Sequence, residues 1–123
     1  MIKSPKNLNL FTIRFPVPAM VSILHRVSGV VLFVFMPLLT ISLYWSTRNE
    51  AIFHLILAVF DTTLLKIIKT LMIWGIIHHL IAGTRHIMLD LHYGMDLIVA
   101  RFTSKIVLII SFIMTFFVGF WLW

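Results

Sequence analysis

The sequence contains no cysteine. Without thiolates the chain cannot form a disulfide, attach a c-type haem covalently or ligate an iron–sulfur cluster. If electrons pass through this protein, another subunit must deliver them or a bound haem must carry them. The missing residue type therefore limits which redox cofactors the chain can hold by itself.

Charged residues are also scarce, at 11% of the chain against about 25% in soluble domains. Hydrophobic residues make up 61%, and the mean hydropathy is +1.08. A domain of 123 residues leaves much of its surface exposed and could not hide this apolar area from water. The composition therefore predicts an integral membrane protein with almost no domain outside the membrane.

Acidic residues number four against ten lysines and arginines, for a net charge of +6. In a membrane protein, such an excess of basic residues is first interpreted as setting the orientation of the spans across the membrane. A basic run interleaved with aromatics, as nucleic-acid binding would favour, is absent from the sequence. We therefore expect no nucleic-acid partner, and a lipid bilayer as the surroundings of the chain.

Three apolar stretches are long enough to span a membrane, at about residues 19–45, 64–89 and 106–123. Each approximates the ~20 residues that a ~30 Å hydrocarbon core requires. Pro37 is expected to bend the first, and residues 51–60 are apolar but short, which favours an interfacial helix. No apolar signal-peptide region precedes Ala19. The pattern predicts one all-α domain over residues 1–123 with three transmembrane helices.

The basic residues predict the orientation of these spans. Seven of them flank the membrane side that carries the N-terminus, and three flank the opposite side. Because basic residues are retained on the cytoplasmic side, the N-terminus is expected in the cytoplasm or matrix and the C-terminus outside. The seven are Lys3, Lys6, Arg14, Arg26, Arg85, Arg101 and Lys105, and the three are Arg48, Lys66 and Lys69.

A polar cluster lies near the start of the first span, in the segment SILHRVSG at residues 22–29. On a helix, Ser22, Arg26 and Gly29 share one face, and His25 lies beside it. The planar guanidinium suits a carboxylate or a polarised carbonyl, and the serine hydroxyl adds a second hydrogen-bonding group. Gly29 lets a flat ligand or another helix approach. The alternative is an arginine that sets topology, with serine and glycine packing helices.

A second cluster, HHLIAGTRHIMLD at residues 78–90, places three histidines in the second span. Ionisable residues at membrane depth are costly and mark sites, and imidazole is a haem ligand. His79 and His86 share a face about 10.5 Å apart along the axis, so a bis-histidine haem needs a second helix for its other ligand. Gly83 lies on the face of His79, where a macrocycle could approach, whereas His78 points about 100° away. Alternatively, these histidines only bond carbonyls or waters between helices.

Three ionisable residues lie near the end of this span. Arg85 and His86 could meet haem propionates or a quinone. Asp90 could pair with Arg85 or Arg26, cap the following loop or relay a proton, and capping or pairing is the plainer role.

The two motifs together resemble those of the cytochrome b membrane-anchor subunits of succinate dehydrogenase, in respiratory complex II. The segment TIRFP at residues 12–16 also resembles the family's approach to the first span, and the likeness covers essentially the whole chain. The resemblance implies an all-α fold in which three transmembrane helices form half of a haem-binding bundle. A second anchor subunit completes that bundle.

The resemblance also implies residue roles. His79 corresponds to the family's axial ligand of the haem iron, and Ser22 and Arg26 correspond to its quinone-binding residues. His25 and Arg26 lie where the family contacts haem propionates, and Asp90 matches an acidic residue near the quinone pocket. His86 is expected near the propionates because of its place on the helix.

The implied cofactor is one haem b shared with the second anchor subunit, and the implied substrate is ubiquinone. An iron–sulfur subunit and a flavoprotein subunit are the implied partners. Because the flavoprotein oxidises succinate, no succinate-oxidising site is expected in this chain. The implied location is a bacterial cytoplasmic membrane or a mitochondrial inner membrane. One departure bears on the haem ligand, since many relatives have tyrosine at the position of His78.

The sequence leaves three other interpretations. The chain could anchor a fumarate reductase that uses menaquinone, because sequence does not decide the direction of the reaction. It could be a structural membrane protein whose histidines only pack between helices. It could also be a standalone b-type cytochrome, which would need two ligands from this chain or from a homodimer.

Overall fold

Four helices account for most of the chain in the computed structural model, which describes residues 15–123. They are α1 (Val17–Ser46), α2 (Glu50–Phe60), α3 (Thr63–Asp90) and α4 (Leu97–Leu122). The three long helices are apolar and long enough to cross a membrane, which confirms the predicted all-α transmembrane fold. The 11-residue α2 is too short to span. Lys3, Lys6 and Arg14 of the orientation argument, and residues 12–14 of the TIRFP segment, lie outside the described residues.

The helix ends follow from local chemistry. Pro16 precedes α1, where a missing N–H costs nothing. Asn49 begins α2 by accepting hydrogen bonds from the N–H groups of Ala51, at 2.8 Å, and Ile52, at 3.3 Å. Between α3 and α4 the chain turns through two residues with positive φ, His92 at 67° and Gly94 at 74°. The helices are therefore distinct elements joined by short turns.

The last helix begins at Leu97, earlier than the apolar run that predicted a span from about residue 106. The Asp96 side chain caps it by accepting from the N–H of Ile98. Arg101 and Lys105 interrupt the apolar pattern, yet both side chains are exposed on the helix surface. Long basic side chains can reach the membrane interface from such positions, so they limit the apolar run without ending the helix.

Buried and exposed positions are distributed as expected for a chain surrounded by lipid. Large apolar side chains lie outside, and those of Phe33, Phe120 and Trp121 are 81%, 81% and 84% exposed. The interior instead contains small or polar residues, as is usual where membrane helices pack closely. The buried residues include Val21, Ser28, Met72, His78, Ala82, Ser104, Val107, Ser111 and Thr115.

Helices α1, α3 and α4 all pack against one another, with the most extensive contacts made by α3, while α2 packs chiefly against α1. At the start of α3, the Lys66 ammonium lies 2.8 Å from the Asp61 carboxylate. This hydrogen bond lowers the pKa of the Asp61 carboxyl group below its usual value. Because α3 contacts both neighbours, its side chains form two different interfaces, one with α1 and one with α4.

Candidate functional site

The two polar motifs meet where α1 and α3 pack. The His25 imidazole of α1 stacks on that of His79 in α3, with ring centroids 4.1 Å apart and planes 15° from parallel. His25 also contacts His86, which lies about two helical turns beyond His79 in α3, with ring centroids 5.0 Å apart. The fold therefore brings together three of the histidines named as site residues, in one cluster between two spans.

The hydrogen bonds of His79 define which ring nitrogen carries its proton. Its Nδ1 lies 3.1 Å from the backbone carbonyl of His25 and 3.1 Å from the Ser28 hydroxyl. The Ser28 hydroxyl itself donates to the same carbonyl at 2.8 Å. A carbonyl can only accept, so this geometry favours the tautomer in which Nδ1 carries the hydrogen and Nε2 keeps its lone pair. That arrangement is typical of a metal-binding histidine oriented by a backbone carbonyl.

Ser28 is the positioning residue that the sequence analysis did not assign. It is 2% exposed and lies beside both His25 and His79. The available signal was its position three residues after His25, where a helical serine hydroxyl reaches back to a carbonyl. The contact with His79 spans 51 residues of sequence and could not be inferred from that spacing.

Glycines make the close approach of these rings feasible. A Cβ at Gly29 would lie 3.0 Å from Cε1 of His79, and one at Gly83 would lie 3.3 Å from Nε2 of His25. Gly29 was expected to allow the approach of a flat ligand or of another helix. The group that the structure shows there is the His79 side chain of α3. At Gly83, the neighbour that the structure shows is the His25 ring.

Replacing Gly29 by alanine is expected to destabilise the α1–α3 contact. The new methyl group would push the His79 ring by a few tenths of an ångström, and overpacking of this kind costs about 1–3 kcal/mol. The matched control is Gly75→Ala in α3, where nothing lies within 4 Å of an added Cβ. Thermal unfolding of the purified protein should show a lower midpoint for Gly29→Ala and an equal or higher midpoint for Gly75→Ala. Equal midpoints for the two variants would contradict a tight contact at Gly29.

The neighbouring His78 belongs to a different interface. It is fully buried, its Nδ1 lies 3.2 Å from the Ser111 hydroxyl of α4, and its ring stacks on Trp74. Its Nε2 is enclosed and has no hydrogen-bond partner among residues 15–123. His78 therefore packs α3 against α4 through Ser111, with the Val21 backbone of α1 also beside its ring, whereas His79 bonds the His25 carbonyl of α1.

Ser22 and Arg26 lie one turn apart on α1, as the spacing predicts. Arg26 is exposed and Ser22 is half-buried, and no hydrogen bond of either side chain is recorded within residues 15–123. Asp90 is exposed at the end of α3, and within the same residues it forms no ion pair with Arg85 or Arg26. These side chains are thus accessible to a ligand or to another subunit.

Arg85 lies outside the histidine cluster, although it is next to His86 in sequence. Its Nε donates to the Thr103 hydroxyl and one terminal nitrogen donates to the Ala100 carbonyl, both at 3.2 Å. Adjacent residues on a helix point about 100° apart. Arg85 therefore faces α4, whereas the next residue, His86, faces His25 of α1. It ties α3 to the first turns of α4.

The histidine cluster is not a chelating metal site. In the described part of the chain, no three histidine or carboxylate side chains are placed to hold one ion. His25 and His79 are stacked face to face, so their nitrogen lone pairs do not converge on a common point. A ligand bound through Nε2 of His79 must therefore approach from outside this stack.

Comparison with known proteins agrees with this architecture. Residues 2–118 match the family described as Succinate dehydrogenase/Fumarate reductase transmembrane subunit. The chain is 35% identical over 122 residues to the succinate dehydrogenase cytochrome b556 subunit of Coxiella burnetii, and the match covers 98% of each chain. With three apolar helices of spanning length and a match over nearly its full length, the chain belongs to the family of succinate dehydrogenase/fumarate reductase transmembrane subunits.

Proposed function

We propose that this chain is the cytochrome b anchor subunit of a succinate:ubiquinone oxidoreductase. In this role it binds one haem b together with a second anchor subunit and forms one wall of the ubiquinone-reducing pocket. The observation that carries the proposal is the position of the His79 Nδ1 atom, 3.1 Å from the His25 carbonyl, which favours an Nδ1–H tautomer with the Nε2 lone pair available. The relative from Coxiella burnetii is named as a cytochrome b556, which supports haem as the cofactor.

The residues around His79 fit a haem. His79 would ligate the iron through Nε2, with His25, Arg26 and His86 near the propionates. His78 is a poorer ligand because it is fully buried within this chain, between Trp74 and Ser111. The 4.1 Å stack of His25 on His79 leaves no room for a macrocycle between these rings, so the other axial ligand would come from the second anchor subunit. When bound, the haem supplies a one-electron carrier.

Ser22 and Arg26 are the donors that we assign to ubiquinone. Both lie on one face at the start of α1, and Arg26 is exposed. They would hold and polarise a quinone carbonyl, where negative charge develops as electrons arrive from an iron–sulfur cluster in a partner subunit. Donors already in place for that charge lower the barrier without reorganisation. Asp90, exposed as the last residue of α3, is a candidate to relay protons from the aqueous side or to pair with a partner subunit.

The proposed assembly has three partners: the second anchor, an iron–sulfur subunit and a flavoprotein that oxidises succinate. The basic residues support a cytoplasmic or matrix N-terminus in a bacterial cytoplasmic or mitochondrial inner membrane. A phosphatase reporter fused after Trp123 should then be active only outside the cytoplasm. Activity of a cytoplasmic reporter at the same position would contradict this orientation.

The experiment that tests the proposal is purification of the complex through a tag on this chain. The purified complex should contain three further subunits, show a low-spin b-type spectrum and reduce ubiquinone with succinate. A complex without a haem spectrum would favour a purely structural anchor, and isolation of this chain alone with haem would favour a standalone cytochrome. Menaquinone extracted with the complex would instead favour the fumarate reductase of the same family.

A further inference from the structure

A groove of about 340 Å³ runs between α3 and α4 at the membrane end where α3 ends and α4 begins. Its walls are mostly apolar and include Ile81, Met88 and Ile106, while Arg85 and Tyr93 supply polar groups. Ile81 and Met88 lie roughly opposite His79 and His86 around α3, at 100° per residue. The groove is therefore separate from the histidine cluster and faces a different direction.

The charge in this groove is not balanced by an acidic residue. The ion pairs recorded within residues 15–123 are those of His54 with Glu50 and of Lys66 with Asp61. Arg85 instead bonds two neutral acceptors, the Thr103 hydroxyl and the Ala100 carbonyl. A guanidinium has five N–H donors, so most of its donor capacity remains for a ligand.

We propose that this groove binds an anionic phospholipid, with its phosphate on Arg85 and an acyl chain along the apolar walls. A positive group at the membrane end and an apolar channel continuing toward its interior match the two parts of such a lipid. An uncharged quinone would leave the Arg85 charge uncompensated. Met88 and Ile106 are exposed, as expected for a wall that contacts lipid. This inference does not depend on the proposed haem or quinone sites.

Lipid binding to the purified complex in detergent tests the proposal. Phosphatidylglycerol and phosphatidylcholine with identical acyl chains are added, and bound lipid is counted by native mass spectrometry. Wild-type complex should prefer phosphatidylglycerol, and Arg85→Gln should weaken its binding about fivefold, as expected for one basic residue at a lipid surface. Arg101→Gln, an exposed arginine outside the groove lining, is the matched control and should change binding less than twofold.

A second variant keeps the test independent of the role of Arg85 in tying α3 to α4. Met88→Trp fills the groove and leaves the guanidinium in place, and it should also reduce retained phosphatidylglycerol. Inorganic phosphate at the same concentration should not displace the lipid, because it lacks the acyl chain. Equal binding of the two lipids to wild type, displacement by phosphate, or unchanged binding in both Arg85→Gln and Met88→Trp would overturn the proposal.

Discussion

Replacing His79 by alanine is expected to abolish the low-spin b-type haem spectrum of the complex. The substitution removes the Nε2 lone pair, which the Nδ1–H bond to the His25 carbonyl leaves available to a ligand. In the proposed assembly His79 would be the residue of this chain that holds the haem iron, so its loss would remove this chain's ligand and with it the low-spin spectrum. The measurement is the reduced-minus-oxidised visible spectrum of the purified complex, normalised to flavin content.

Two other histidines provide the controls for this change. His92 lies in the α3–α4 turn with a positive φ, which asparagine also adopts, so His92→Asn should keep the wild-type spectrum. His78→Phe removes the contact with Ser111 and should lower stability while leaving a b-type spectrum. A wild-type spectrum in His79→Ala, together with its loss in His78→Phe, would reverse the ligand assignment.

Loss of quinone reduction is the second large effect that we expect, from Ser22→Ala and Arg26→Leu. Removing one preorganised donor to a developing negative charge typically costs a factor of about 10²–10³ in rate. We expect Arg26→Leu to lose activity of about that size, because it also removes the positive field, and Ser22→Ala to lose about tenfold. The assay is succinate-driven ubiquinone reduction, compared with reduction of an artificial acceptor that bypasses the quinone.

The controls separate quinone chemistry from topology. Reduction of the artificial acceptor should survive in both variants, which shows that the complex has assembled. Arg48→Leu is a matched change at the other end of α1, where the guanidinium lies over the Tyr44 ring at 4.9 Å, and it should leave ubiquinone reduction unchanged. If Ser22→Ala and Arg26→Leu complexes reduce ubiquinone at the normal rate, the two residues serve only packing and orientation.

Much of this architecture could be predicted from composition and pattern. Long apolar runs are not compatible with a soluble fold of this size, so the sequence predicted the three spanning helices and the short α2. The candidate site residues also stood out, because histidine and arginine are costly in a membrane and their spacing puts them on defined helix faces. The start of α4 was less predictable, because Arg101 and Lys105 end the apolar run while the Asp96 cap begins the helix earlier.

By itself, then, the sequence determined the membrane class, the number of spans and the short list of ionisable residues, since these depend on local hydropathy and periodicity. Only the tertiary structure decided how those residues are used. Three contacts show this: His25 stacks on His79, His78 is buried against Ser111, and Arg85 bonds Thr103. Each links residues that are distant in sequence, and neighbouring residues such as His78 and His79 have different partners. They depend on how the helices are rotated against one another, and that rotation is decided by close packing of small residues between helices.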